Sequence, residues 1–367
     1  SKMDKTDPEF KKIQREADQL DIKQFTLKIL INTVYGYFGN KHAPIGDPDI
    51  ARSITLTGQA VIKQSNKILR EYVDREGAPG LDPVIYNDTD SSYISIARLM
   101  KHISKPFHTS GKISKEAYEC AELVEAHLNE KITEWSARTL NSKDSRFVFK
   151  RECMADVGVF LQKKRYVLHV LDDEGIPTSK YKYTGVEVVR STIPAPIKPY
   201  IKQIIETLME TENRTTTNDV FLKAYDTFKD LPVEDYSFVM GISDYEKYAD
   251  RCNSFTTVKG MPAHVKAAYY YNMLLEKLDL TGEYETIETG DKARFFYVNQ
   301  PNKYGIKAIA YKYYYPKEFV SIFQPDKEKM FEKIIYSIVE RFYDAVSWKL
   351  NKPNAQVQTD LFDLLGV

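Results

Sequence analysis

Asp88-Thr89-Asp90 is the stretch whose residue types most directly suggest chemistry. On an extended backbone, residues two apart share a face. Two carboxylates held that close repel each other unless a cation sits beside them. Hard carboxylate oxygens suit Mg²⁺, with Mn²⁺ as a substitute, because such an ion binds through a few carboxylates and the phosphates of a substrate. The same three residues also fit a polar turn whose Asp side chains bond their own backbone.

Three further groups carry candidate chemistry. Lys28, Asn32 and Tyr35 fall at i, i+4 and i+7, so a helix would put a cation, an amide and a phenol in one row. That row fits contacts to phosphates and a base, or a solvated lysine beside a core tyrosine. Lys163-Lys164-Arg165-Tyr166 places three cations beside an aromatic. It fits either a nucleic-acid backbone contact with stacking or groove contact, or a charged strand edge that blocks aggregation. Lys259 to Lys266 is a basic turn leading into a helix, where Lys266 is a candidate phosphate contact and a lone His264 is more often structural.

The elements that must position these groups are legible from their boundaries. Asp7-Pro8-Glu9 is a helix start, and no further proline or glycine follows until Gly36, so one helix is expected from Pro8 to about Tyr37. Asp47-Pro48 starts a second. Val84-Ile85 and Ile94-x-Ile96 flank the aspartates as short strands, making a hairpin with the polar centre as its turn. Residues 114 to about 140 read as an amphipathic helix with Leu123, Ala126, Ile132 and Trp135. Strand-like runs follow at 147–149, 158–161, 166–168 and 181–189. After Pro194 and Pro196 the pattern is mainly helical, over 197–211, 217–229, 263–278 and 326–349. Strands are expected at 293–298 and 306–311. The fold class expected is α+β.

The 367 residues are enough for two or three domains. Lys plus Arg equals Asp plus Glu at 52 each, so a nucleic-acid surface must come from local arrangement and not net charge. Three scattered cysteines make no disulfide framework and no zinc spacing, which suits a reducing cytoplasm, a host's if the source is viral. No apolar run approaches ~18 residues, so no membrane association is expected. The last residues turn abruptly apolar. Gln358-x-x-Leu361-Phe362-x-Leu364-Leu365 has a polar anchor followed by apolar side chains on one helical turn. That is the spacing of a peptide that docks in a groove, or of a terminal helix packed on its own domain.

Taken in order, these motifs resemble B-family DNA polymerases, most nearly those of T-even-like bacteriophages. Lys28-x-x-x-Asn32-Thr33-x-Tyr35-Gly36 is similar to the motif of the family's fingers helix. Tyr86-Asn87-Asp88-Thr89-Asp90-Ser91 is similar to its palm motif C, and Lys164-Arg165-Tyr166 to its Lys-x-Tyr element. Gly185-x-Glu187 with Ser191-Thr192-x-Pro194 resembles the passage from palm to thumb. The resemblance covers nearly the whole chain. It implies a second fingers helix at 1–40, a palm at 41–193, a thumb at 194–355 and a clamp-binding peptide at 356–367. It implies that Asp90, and less directly Asp88, hold two Mg²⁺ ions. Lys28 would neutralise an incoming triphosphate, and Asn32 would lie near its phosphates or sugar. Tyr35 and Gly36 would pack on the nascent base pair. Lys163, Lys164, Arg165 and Tyr166 would contact the primer duplex, and Gln358, Leu361, Phe362, Leu364 and Leu365 a sliding clamp.

Two departures from that pattern matter. Lys150 stands where the phage relatives carry a carboxylate, leaving Glu152 as the accessory acid. The family's first palm motif, Asp-x-x-Ser-Leu-Tyr-Pro, and its exonuclease motifs do not occur. The resemblance therefore implies a polymerase split at the fingertip, whose N-terminal chain supplies the exonuclease, the missing aspartate and the first fingers helix. Primer–template DNA and deoxynucleoside triphosphates would be the other partners. Rival readings are a non-catalytic DNA-binding and clamp-tethering subunit, and a glycosyltransferase that uses Asp88-Thr89-Asp90 to hold Mn²⁺ and a nucleotide sugar.

Overall fold

The computed structural model describes residues 7–76, 80–102, 104–109, 112–142 and 144–353. All strand pairings are antiparallel, and the sheets are small and flanked by helices, so the class is α+β as expected. The chain divides into two compact units, residues 1–151 and 152–367.

The first unit opens with α1 (Pro8–Gly39). Asp7 caps it by accepting the Glu9 N–H at 2.8 Å, and the chain leaves it at Asn40. None of its residues is buried. Leu20, Phe25 and Ile31 are 64%, 62% and 69% exposed, so apolar side chains face outward on every side of the helix. A tight loop returns the chain, and Asp47 N–H bonds the Phe38 carbonyl at 2.9 Å. A side chain at Gly46 would stand 1.9 Å from the Asn40 carbonyl oxygen, so that loop requires glycine. Helix α2 (Pro48–Arg75) starts on an Asp47 cap. Val61, Ile68, Leu69, Tyr72 and Val73 form its buried stripe. It packs on the hairpin β1 (Val84–Asp88) and β2 (Ser91–Ile94) and on α4 (Lys115–Thr139). Between them lie α3 (Ile96–His102) and the two-residue strands β3 (His108–Thr109) and β4 (Lys112–Ile113).

Helix α4 is capped by Ser114, and its buried face is Ala117, Cys120, Ala121, Val124, Leu128, Ile132 and Ser136. Leu123 lies on the opposite side, 62% exposed. The run 147–149 is not a strand. Asn129 of α4 takes the place of a neighbouring strand, accepting the Phe149 N–H and donating to the Phe149 carbonyl, both at 2.7 Å. Glu125 likewise accepts the Arg151 N–H at 2.7 Å.

The second unit begins with a three-stranded sheet of β5 (Cys153–Gln162), β6 (Arg165–Asp173) and β7 (Ile176–Thr184), with β6 in the centre. The strand expected over 181–189 ends at Thr184. Gly185 turns the chain at φ +62° into a 3₁₀ turn, Glu187–Val189. Helices α5 (Lys198–Thr211) and α6 (Arg214–Asp230) follow, then α7 (Val233–Tyr236), β8 (Phe238–Gly241), α8 (Tyr245–Ala249) and α9 (Ala263–Lys277). Strands β9 (Lys292–Tyr297) and β10 (Ala308–Tyr311) join β8 in the order β10-β9-β8. Helix α10 (Lys317–Val320) precedes α11 (Lys327–Phe331), which continues through a π turn (Glu332–Tyr336) into α12 (Ser337–Ala345). Much of the chain's tyrosine and phenylalanine content is core here. Phe296, Tyr315, Phe319 and Phe323 pack edge to face, with ring centroids 5.1 to 6.3 Å apart.

Candidate functional site

The hairpin that carries the aspartates is paired Tyr86 to Tyr93, Asn87 to Ser92 and Asp88 to Ser91. Thr89 and Asp90 are therefore the two-residue turn, and the two carboxylates do not sit on one extended strand. Asp88 ends β1 half-buried, while Asp90 is exposed in the turn. Thr89 between them adopts φ +49°, and Asp90 N–H donates back to the Asp88 carbonyl at 2.6 Å. This is a γ-type turn, strained for a β-branched residue. Surrounding bonds hold it in place. Thr89 Oγ1 donates to Asp88 Oδ1 at 3.1 Å, Ser91 Oγ to the Asp88 carbonyl at 3.0 Å, and Ser92 Oγ to Asn87 Oδ1 at 2.8 Å. The Tyr86 and Tyr93 rings lie side by side at 5.4 Å.

The donor set fits a divalent cation only in part. Two hard carboxylates on a fixed turn match an ion that keeps waters and binds substrate phosphates. Among the described residues, however, no group of three or more acids, histidines or cysteines is close enough to cage a metal. Glu152 belongs to the other unit, where its side chain accepts from Lys182 Nζ at 2.8 Å.

Lys28, Asn32 and Tyr35 lie along one face of the regular helix α1, all exposed, with Tyr35 43% exposed. Gly36 follows on the same helix, and a Cβ placed there would meet no atom within 4 Å. Glycine in a helix interior costs roughly 0.5–1 kcal/mol relative to alanine, and nothing among the described residues requires it here.

In the second unit, Gln162 pairs with Arg165, so Lys163 and Lys164 form the two-residue turn between β5 and β6, both exposed. Tyr166 is buried, 4% exposed, with its ring 5.3 Å from Phe160. It presents no free ring face, so the stacking contact expected of it does not fit. Arg165 is held by Glu187, an acid that the sequence marks only as part of a motif. Lys266 sits half-buried in the first turn of α9, behind the exposed Lys259 and Gly260. Beside it, His264 packs 6.3 Å from Phe295, and burial holds its pKa below the usual histidine value. The apolar tail with Gln358, Leu361, Phe362, Leu364 and Leu365 lies outside the described residues. No helix among the described residues is long and apolar enough to cross a membrane.

The sequence profile of DNA polymerase family B matches residues 5–345 of the chain. The chain belongs to that family. It is 26% identical over 302 residues to the DNA-directed DNA polymerase of Escherichia phage RB69, covering 78% of this chain and 32% of the relative. It is 23% identical over 316 residues to that of Enterobacteria phage T4, covering 81% and 34%. A DNA polymerase of Trichoplusia ni ascovirus 2c is 27% identical over 175 residues, 48% of this chain and 14% of the relative. The chain thus spans about a third of the length of the family-B phage relatives that it matches.

Proposed function

We propose that this chain forms the fingers-to-thumb part of a replicative DNA-directed DNA polymerase, adding deoxynucleotides to a primer 3′ end. The observation that carries the reading is the Asp88-Thr89-Asp90 turn, two acids on a strained and braced hairpin tip in a chain of family B. Asp90 and Asp88 are the proposed metal ligands. A divalent cation bound there, Mg²⁺ by the chemistry of the donors, offsets phosphate charge and acidifies the attacking hydroxyl. Lys28 is placed to neutralise a triphosphate, and Asn32 to hydrogen-bond its phosphates or sugar. Tyr35 and Gly36 offer an aromatic edge and a bare backbone to a nascent base pair. Lys163 and Lys164 are the proposed duplex contacts, with Lys266 as a further phosphate contact. Arg165 and the buried Tyr166 hold the Lys163–Lys164 turn from beneath. Residues 1–40, 41–193, 194–355 and 356–367 are assigned as fingers helix, palm, thumb and clamp-binding peptide.

A second polypeptide segment is part of this reading. Helix α1 exposes apolar side chains all round, which in water calls for a covering surface. The proposed segment carries the first fingers helix, the missing palm aspartate and the exonuclease, supplied in the same polypeptide or by another. A site for two metal ions needs that further acid. Family membership weighs against the nucleotide-sugar glycosyltransferase reading.

The test is primer extension with Mg²⁺ and four deoxynucleotides, using the chain with and without the N-terminal segment from the same source. Synthesis that needs both and is lost in Asp90→Asn supports the reading. Robust synthesis by the chain alone removes the need for the second segment. DNA binding without synthesis in either case favours a tethering subunit.

A further inference from the structure

The turn that carries Lys163 and Lys164 is held from outside the hairpin. Lys164 adopts φ +63°, a left-handed conformation that costs a lysine roughly 1–2 kcal/mol unless its surroundings impose it. Two features do so. The first is Gly185, itself at φ +62°. A Cβ there would stand 2.0 Å from the Lys164 carbonyl oxygen, so the chain leaving β7 can pass the turn only as glycine. The second is an ion cluster. Arg165 Nη1 donates to Glu187 Oε1 at 2.8 Å. The same oxygen accepts from Arg341 Nη1 at 2.6 Å, on α12 and 154 residues further along the chain. Arg190 Nη2 stands 3.7 Å away.

Glu187 is only 15% exposed, and its second oxygen is buried with no hydrogen-bond partner among the described residues. Burial alone would raise its pKa. Its own backbone N–H and the guanidinium groups of Arg341 and Arg165 outweigh that and hold the carboxyl below its ordinary value. One ionised carboxylate thus ties the root of the Lys163–Lys164 turn to α12. A charge-assisted, part-buried bond of this kind is stronger than an exposed surface pair.

We propose that Glu187, braced by Arg341, is a positioning residue that fixes the Lys163–Lys164 turn for contact with the phosphates of duplex DNA. The inference rests on the polymerase reading for the identity of the duplex, and on the geometry alone for the brace. Two measurements on the full chain separate these. Hydrogen exchange at the amides of residues 163–166 reads the brace. Fluorescence anisotropy with a labelled primer–template reads the contact.

Glu187→Gln and Arg341→Gln are each expected to speed exchange at 163–166 and to weaken primer–template binding by about tenfold. The double variant is expected to be no weaker than Glu187→Gln alone, because that substitution already breaks the link to Arg341. Arg341→Lys, which keeps the charge, is expected to restore part of the affinity. Exchange at 163–166 that stays at its wild-type rate in Glu187→Gln and Arg341→Gln, in a chain that still melts cooperatively, overturns the brace. Faster exchange with unchanged affinity in the paired variant Lys163→Ala and Lys164→Ala leaves the brace standing and overturns the DNA contact.

Discussion

Replacing Gly36 with alanine separates a stability effect from a functional one. In α1 the position is helical, and an added Cβ meets nothing within 4 Å. Alanine should therefore gain its full helix propensity, about 1 kcal/mol. Because α1 buries none of its residues, that gain is local and need not shift the global melting temperature. The sensitive readout is amide exchange over residues 30–39, which should slow by about fivefold for 1 kcal/mol. On the proposed reading, the same methyl group would stand where the nascent base pair approaches. Single-nucleotide incorporation should then fall by tenfold or more, roughly the cost of overpacking a close contact. A variant with slower exchange and unchanged incorporation would falsify the close-approach role of Gly36. Faster exchange would show that the helix at this position is not regular.

Four further outcomes follow from the described geometry. Asp90→Asn should reduce primer extension by about a thousandfold, and Asp88→Asn by less, measured by single-turnover incorporation with primer–template binding intact. Equal, small effects of both would remove the acids from the site. Replacing Lys163 or Lys164 with alanine should lower the salt dependence of DNA binding by about 0.9 in log–log slope for each phosphate no longer neutralised, and an unchanged slope assigns the turn elsewhere. Deleting residues 357–367 should abolish clamp-dependent processivity and spare distributive synthesis; loss of both would count against the clamp peptide. Acid should destabilise the chain in two stages. His264 and His127 have lowered folded pKa values, chiefly through burial, so their contribution is present above the ordinary value of 6.5 and is lost as pH falls below it. Glu187 is also lowered, so its contribution is present above 4.5 and is lost only at lower pH. His264→Gln should flatten the first stage of a pH–denaturation series, and no change there would remove His264 from it.

The parts of the fold that were legible in the sequence are those fixed by local chemistry. Asp7-Pro8 and Asp47-Pro48 mark helix starts because the caps and the prolines act within one turn, and both helices begin there. The Asp88–Asp90 hairpin was legible from its apolar flanks, but not its turn geometry. Placing both acids on one extended face assumed a backbone that Thr89 breaks with a positive φ. The misreadings share a cause, since apolar content does not say what will satisfy the backbone or which face is covered. The run 147–149 is apolar like a strand, yet side chains of α4 take its hydrogen bonds. Tyr166 looked like an exposed stacking partner beside three cations. It lies on the central strand of its sheet, where neighbours on both sides bury it. The link from Glu187 to Arg341 spans 154 residues and leaves no local signature.

The proportions of α1 set how far a rotation at its base would carry its far end. A helix of 32 residues is about 48 Å long. Its C-terminal end is pinned by the tight Asn40–Gly46 loop and the bond from Asp47 to Phe38. A rotation of about 15° at that base swings the far end through about 13 Å. The face with Lys28, Asn32 and Tyr35 lies towards the pinned end, so it moves only a few ångströms for the same rotation. Such a lever would turn a small rotation at the Asn40–Gly46 loop into a large displacement at Asp7, where a pair of distance labels would read it most easily.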